Sequence, residues 1–112
     1  MKPEEIRLHR EERKILSGSY KKLLSEISAI LFRHDPIGIN FEVNTDEYDS
    51  EAGTILSRLH PHLSLGEAIM IVHEEFVRWF DLPTAGPREG YSVIAAEILT
   101  VYEKWAESIG RV

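Results

Sequence analysis

Residues 64–80 read SLGEAIMIVHEEFVRWF, and this stretch decides the fold. Ser64, followed three residues later by Glu67, matches a capping box, in which the two side chains satisfy exposed amides at a helix start. The apolar residues that follow recur at the three- and four-residue spacing of an amphipathic helix. These residues form a wide apolar face, so we predict that this helix lies at the centre of the protein. They are Ala68, Ile69, Val72, Phe76, Trp79 and Phe80.

Upstream of this helix, the N-terminal third of the chain carries one strong helical pattern and one weaker pattern. Residues 20–31 have a regular apolar face. This helix is predicted to end near His34, because Pro36 disfavours helical geometry in the residue before it. We predict a break at Ser17-Gly18-Ser19, which would separate the helix from a first helix over residues 3–16. Apolar residues are sparse in that first helix.

The middle of the chain combines an alternating pattern with a further helix. Residues 39–43 alternate apolar and polar side chains, which predicts a short extended segment with one buried side. The next helix is predicted from Tyr48 to Leu59, with Thr45 or Asp46 as its N-cap.

The C-terminal third of the chain completes the pattern. Asp81-Leu82-Pro83 predicts a helix stop, and residues 84–90 are typical of a loop with a proline-led turn. A last helix is predicted from Ile94 to Ile109. The sequence therefore predicts an all-α fold, a compact bundle of four to five amphipathic helices. We expect residues 1–112 to form a single domain, with residues 1–16 as an exposed or partner-contacting helix.

The composition narrows the classes of function. The 112 residues are 43% hydrophobic and 29% charged, which is the balance of a globular protein. Cysteine is absent, so disulfides, thiolate metal sites and thiol catalysis are excluded. The first residues lack the apolar core of a signal peptide, and no later stretch reaches the roughly 20 apolar residues of a membrane span. We therefore expect a cytoplasmic protein with no membrane partner.

Charge is distributed unevenly along the chain. The formal net charge is −6; residues 1–22 hold seven Lys/Arg and four Glu, whereas residues 23–112 hold six Lys/Arg and fifteen Asp/Glu. An acidic body argues against nucleic acid as a partner, since affinity for phosphates comes from clustered Lys and Arg. Within residues 35–51 every charged residue is acidic. These residues, the candidate partner-binding set, are Asp35, Glu42, Asp46, Glu47, Asp49 and Glu51.

This acidic segment supports three interpretations. Asp46 can cap a helix and Asp35 can hold the turn before Gly38. Glu47 and Asp49 can complement the positive end of the same helix. The carboxylates can also form a surface that binds a basic protein, or they can converge on a metal ion, although their spacing does not match the Ca²⁺-binding loop.

Other motifs nominate no catalytic residue, metal or cofactor. His60, His62 and His73 lack recognised zinc spacing, and no serine lies in a nucleophile elbow. No glycine-rich phosphate loop is present. The aromatic residues follow helical spacing, which predicts core packing with some surface left for a dimer or a partner. These aromatic residues are Tyr20, Phe76, Trp79, Phe80, Tyr102 and Trp105.

Two short motifs give a resemblance. Residues 32–38 read Phe-Arg-His-Asp-Pro-Ile-Gly, and residues 46–49 read Asp-Glu-Tyr-Asp. An Asp-Pro-Ile-Gly turn before an Asp-Glu-Tyr-Asp helix start resembles a family of small, uncharacterised bacterial helical proteins, whose members more often have Trp at the position of His34. The resemblance implies a helical fold and a bacterial source, and it implies no activity.

The leading hypothesis is a non-enzymatic protein-interaction module that uses the acidic segment 35–51 against a basic protein surface. Its most specific form is an immunity protein that neutralises a toxin. One alternative is metal-assisted hydrolysis by Asp35, Glu47 and Asp49 with His34. Another is a structural homodimer, in which the first helix packs on the acidic face of its twin.

Overall fold

A computed structural model of the chain describes the backbone of residues 3–38 and 47–110 and the side chains of residues 18–38 and 47–110. Within these ranges the protein is helical and contains no strand, which confirms the predicted all-α bundle of four to five helices. The extended segment predicted at residues 39–43 lies outside them. The elements are α1 (Pro3–His34), α2 (Asp49–Leu56), α3 (Leu65–Trp79), α4 (Leu82–Ala85) and α5 (Ser92–Ser108), with a short 3-10 helix at Arg88–Tyr91.

The capping box predicted at the start of α3 is confirmed. The Glu67 amide donates a hydrogen bond to Ser64 Oγ at 3.1 Å, and the Ser64 amide donates to Glu67 Oε1 at 3.4 Å. From this start α3 packs against α2, α4, α5 and the 3-10 helix. Phe76 of α3 is fully buried, with its ring centroid 6.0 Å from Tyr48 and 5.3 Å from Tyr91. The predicted central position of this helix agrees with these contacts.

The core lies between α1, α2, α3 and α5. α1 packs against both α2 and α5. Arg33, near the end of α1, binds Glu97 in the first half of α5, whereas Trp105 Nε1, near the end of α5, donates to Ser19 Oγ at 3.2 Å. The two helices are therefore antiparallel. The largest fully buried apolar side chains are Tyr48, Tyr91, Phe76, Leu23, Ile27, Leu31, Ile55, Ile98 and Val72.

The predicted break at Ser17-Gly18-Ser19 is wrong, because α1 is one continuous helix of 32 residues. Glycine inside a helix costs roughly 1 kcal/mol relative to alanine, which is why the sequence suggested a boundary. Packing on α5 opposes this local cost. Ser19 accepts the hydrogen bond from Trp105, and the Tyr20 ring lies edge-on to the Trp105 ring at 5.9 Å. At 1.5 Å per residue the uninterrupted helix is about 48 Å long.

The segment predicted as a loop after α3 contains two short helices, so that prediction is wrong in part. α3 ends at Trp79, as the Asp81-Leu82-Pro83 motif predicted, but the same motif also starts α4. Asp81 Oδ1 accepts a hydrogen bond from the Thr84 amide at 2.7 Å. Pro83 lies in the first turn of α4, where a proline is tolerated because an N–H there has no partner within the helix.

The C-terminal ends of α1 and α5 agree with the helix stops predicted from the sequence. α1 ends at His34, directly before Asp35-Pro36. α5 ends at Ser108, two residues before Gly110, whose φ of +72° suits the glycine predicted as a stop. None of the described helices combines the length and the apolar character needed to cross a membrane.

Replacing Gly18 by alanine should raise the free energy of unfolding by about 0.5–1 kcal/mol, because the position lies inside a continuous helix. An added Cβ meets no atom within 4 Å. Urea unfolding followed by circular dichroism measures the change.

Gly38→Ala is the matched control, since its Cβ also meets open space but its φ is +75°. This change should destabilise the protein by about 1 kcal/mol, because L-residues avoid the left-handed region. A neutral or destabilising Gly18→Ala would contradict the continuous α1.

Candidate functional site

Tyr48 connects the turn after α1 to the start of α2. Its side chain is fully buried, and its hydroxyl donates a hydrogen bond to Asp35 Oδ1 at 2.7 Å. The Ile37 amide donates to the same hydroxyl oxygen at 3.3 Å. Within the turn, the Gly38 amide donates to the Asp35 carbonyl at 3.1 Å, and the φ of Asp35 is +48°. The aromatic residue thus fixes the acidic start of α2 beside the end of α1.

Asp35 of the candidate binding set does not lie on an open acidic surface. The residue is half-buried, and its carboxylate binds the Tyr48 hydroxyl. The interpretation of Asp35 as a turn residue is the one that these contacts favour. Glu42 and Asp46 of the same set, and the predicted caps Thr45 and Asp46, lie outside the described residues.

Asp49 is the exposed acidic residue of the first turn of α2. Its Oδ1 accepts a hydrogen bond from the hydroxyl of Ser28, a buried residue of α1. The N-cap position itself is occupied by Tyr48, whose side chain makes no capping hydrogen bond. A carboxylate in this first turn is stabilised by the positive end of the helix, as the sequence predicted for Asp49.

Glu51 of the candidate binding set is buried, with 6% of its surface exposed. Its Oε2 atom is enclosed and has no hydrogen-bond partner. Burial raises the pKa of the Glu51 carboxyl above its ordinary value, and the carboxylates of Asp49 and Glu47 raise it further. A hydrogen bond from its own backbone amide acts in the opposite direction. The sequence held one signal of this burial, since Glu51 lies three residues after Tyr48 and four before Ile55, both on the apolar face of the helix.

Asp49 and Glu51, the two carboxylates of α2, do not share one surface. Residues two positions apart on a helix point about 200° apart, so Asp49 and Glu51 lie on different sides of α2. The Asp49 side faces α1 through Ser28. The Glu51 side faces α3, because Thr54, three residues further on, accepts a hydrogen bond from Trp79 Nε1 at 3.0 Å.

Trp79 departs from its predicted place in the core. Its side chain is 46% exposed at the end of α3, and Leu82 beyond it is 60% exposed. Tyr20 is also partly exposed, whereas Phe76 and Tyr102 are buried as predicted. Its indole contacts Thr54 of α2, which is itself only half-buried, so the helical spacing that marked Trp79 as a core residue leads here to the edge of the core.

The arginines near the contact between α2 and α3 form ion pairs with carboxylates of the same protein. Arg58 binds Glu74 at 2.8 Å and the buried Glu75 at 2.9 Å, and Arg78 lies 3.3 Å from the same Glu75 oxygen. In the last turn of α1, Arg33 and His34 both bind Glu97 of α5. The hydrogen bond from His34, with Arg33 nearby, lowers the pKa of Glu97.

Three of the four residues of the metal hypothesis have separate partners. Asp35 binds Tyr48, Asp49 binds Ser28, and His34 binds Glu97. The histidines singled out in the sequence do not change this picture: His73 Nε2, for example, lies 2.8 Å from the Gly86 carbonyl oxygen. In the part of the chain that the structure describes, no group of three or more His, Asp or Glu side chains could hold a metal ion.

Comparison of the chain with models of known protein families, with curated proteins and with solved structures gives no match. The resemblance to a family with an Asp-Pro-Ile-Gly turn therefore stays a prediction. The functional argument depends on the geometry of the site.

Tyr48→Phe should lower the free energy of unfolding by about 1–3 kcal/mol, because Asp35 and the Ile37 amide lose a buried partner while the ring packing remains. Denaturant unfolding measures the loss. Tyr20→Phe removes a hydroxyl from a partly exposed ring and serves as the control, with an expected change within about 0.5 kcal/mol. Equal effects of the two changes would show that Tyr48 does not hold the turn.

Glu51→Gln should gain stability relative to the wild type as the pH rises. The folded-state pKa of Glu51 lies above its ordinary value of 4.5, so ionisation of the folded protein costs free energy at higher pH. Glutamine does not titrate, and the cost of burying its amide is the same at every pH. The difference in unfolding free energy, variant minus wild type, should rise as the pH passes from 4.5 through the raised pKa, and then level off.

Unfolding in denaturant at a series of pH values gives this difference directly. Glu103→Gln removes an exposed carboxylate from α5 and controls for the general change in charge. If the curve for Glu51→Gln ran parallel to that for Glu103→Gln, the buried carboxyl would not be the cause.

Proposed function

We propose that this protein is a cytoplasmic, non-enzymatic interaction module that binds a protein partner with a basic surface. The observation that carries the proposal is the acidic excess of residues 23–112, in which three arginines are already paired. In the described body, Arg33, Arg58 and Arg78 are each bound to a carboxylate of the same molecule. The body nevertheless has a large acidic excess, which these internal pairs do not neutralise.

The start of α2 is the proposed centre of recognition. Asp49 is exposed there, and Glu47 is half-exposed one residue before Tyr48. Glu42 and Asp46 precede them in the sequence and are included in the proposal as members of the candidate partner-binding set. Because Tyr48 anchors this end of α2 to α1 and α3, the carboxylates are presented on a fixed support, which limits the entropy lost on binding.

Complementary charge explains what such a surface does. It steers a basic partner during diffusional encounter and disfavours acidic competitors, and both effects weaken with salt. Neutralisation of a toxin by an immunity protein is the specific role that we propose, since it needs a small binding domain and no catalytic group.

Affinity capture of the tagged protein from its native lysate, with mass spectrometry, tests the proposal. We expect a stoichiometric partner whose recovery falls as the salt concentration rises. A variant carrying amides at four acidic positions should lose this partner at least about tenfold, as expected when several interfacial charges are removed. The positions are Glu42, Asp46, Glu47 and Asp49.

A matched variant carries glutamine at four other acidic positions and has the same net charge. It should retain the partner. Equal retention by both variants would contradict the acidic surface, and recovery of the protein alone would contradict a charged partner. The positions in the matched variant are Glu26, Glu89, Glu103 and Glu107.

A further inference from the structure

A concave groove lies between α1 and α5. Its volume is about 350 Å³, which is near the lower end of the range for small-molecule pockets, roughly 300–1,000 Å³. Leu23, Val101 and Trp105 supply its apolar lining, and no residue from the start of α2 lines it. Leu23 and Trp105 are both buried, so the apolar lining is part of the core. The groove can therefore hold the apolar part of a small ligand.

Two lysines line the same groove, one from each helix. They are Lys22 of α1 and Lys104 of α5, and both are exposed. Neither lysine makes an ion pair or a hydrogen bond with any of the described residues. By contrast, Arg33, Arg58 and Arg78 are each paired with a carboxylate. The groove thus keeps two cations that have no counter-charge in the described part of the protein.

The two lysines lie at nearly the same level along the groove. The hydrogen bond from Trp105 Nε1 to Ser19 Oγ gives the antiparallel helices a common level. At 1.5 Å per residue, Lys22 lies about 4.5 Å beyond Ser19, and Lys104 lies about 1.5 Å beyond Trp105 in the same direction. Packed helices are about 8–10 Å apart, so both lysine side chains can reach a ligand between them. Two like charges at one level repel each other, so an anion that lies between them is favoured.

Glu26 adds a negative charge to the lining of the groove, about one helical turn beyond Lys22 on α1. Its side chain is half-buried, and it also makes no hydrogen bond or ion pair with the described residues. A lysine and a glutamate four residues apart on a helix can pair, but these two do not, so both charges are available to a ligand. The ligand that satisfies all three groups carries a carboxylate for the lysines and an ammonium group for the glutamate.

We propose that the groove between α1 and α5 binds a free α-amino acid with an apolar side chain. Lys22 and Lys104 bind its carboxylate, and Glu26 binds its ammonium group, through charge-assisted hydrogen bonds. The apolar side chain of the amino acid packs on Leu23 and Trp105. An α-amino acid carries all three groups on one carbon atom, which suits a groove of this volume. The site does not depend on the proposed function, because it shares no residue with the acidic surface.

Titration of the full-length ¹⁵N-labelled protein with L-leucine tests the site by NMR. The chain has two tryptophans, so two indole N–H signals are expected, and Trp79→Phe assigns them. The Trp105 signal should shift saturably, because its indole N–H donates to Ser19, which also lines the groove. The Trp79 signal should not shift, because that indole lies at the end of α3 and donates to Thr54 of α2.

Three analogues separate the groups of the ligand. Leucinamide lacks the carboxylate and N-acetyl-leucine lacks the ammonium group. Each should bind at least about fivefold more weakly than L-leucine, because charge-assisted hydrogen bonds are lost. Glycine lacks the apolar side chain and should bind at least about tenfold more weakly, because it buries no apolar surface on the floor of the groove.

Variants of the protein test the assignment of each residue. Lys22→Gln and Lys104→Gln should each weaken L-leucine by about threefold to tenfold. Lys21→Gln is the matched control, since Lys21 is an exposed lysine of α1 that does not line the groove, and it should leave the affinity within about twofold. Glu26→Gln should weaken L-leucine but should not weaken N-acetyl-leucine, which offers no ammonium group to the carboxylate.

Contrary results would overturn the proposal at identifiable points. Absence of a saturable Trp105 shift with both L-leucine and L-phenylalanine would exclude the site. Equal affinity for L-leucine and leucinamide, or equal weakening by Lys22→Gln and Lys21→Gln, would show that the groove lysines do not bind a carboxylate. If Glu26→Gln weakened L-leucine and N-acetyl-leucine equally, the assignment of the ligand as an amino acid would fail.

Discussion

The contacts of Tyr48 with the turn after α1 and with Phe76 of α3 determine how the rest of the site is arranged. The hydroxyl binds the turn that follows α1, and the ring packs 6.0 Å from Phe76 of α3. Once this side chain is buried, the rotation of α2 about its axis is fixed, because successive residues on a helix point about 100° apart. Asp49 must then face α1, and Glu51 must lie at the edge that faces α3. The separation of the acidic residues follows from one buried tyrosine.

Much of the fold could be predicted because its signals are local. The capping box at Ser64 and Glu67, the stop before Pro36 and the glycine after α5 each act within a few residues. The break at Gly18 was predicted by the same local reasoning and was wrong. A contact 86 residues away in sequence, between Ser19 and Trp105, supports the helix there. Propensity measures the local cost and carries no information about such distant packing.

The sequence predicted which residues make up the candidate site, but it did not predict which of them are buried. The acidic segment is visible in the sequence, but a count of carboxylates does not show which of them the core encloses. Asp35 and Glu51 are close to the same helix start as Asp49, yet only Asp49 is exposed. The exposure of Trp79 has the same origin, since the apolar period of α3 does not show which of its residues a neighbouring helix covers. Both outcomes depend on how the helices pack on one another, which a single-helix pattern does not contain.

The two buried carboxylates among the described residues make the strongest argument that Glu51 is more than structural. Glu75 is 2% exposed and Glu51 is 6% exposed, so both are removed from water. Glu75 is paired with Arg58 and Arg78, as a buried charge in a stable core should be. Glu51 keeps an oxygen without a partner, which leaves part of the cost of its burial uncompensated. Chains that satisfy local rules elsewhere tend to break them at functional sites, and here the unmet carboxylate belongs to the acidic segment at the start of α2.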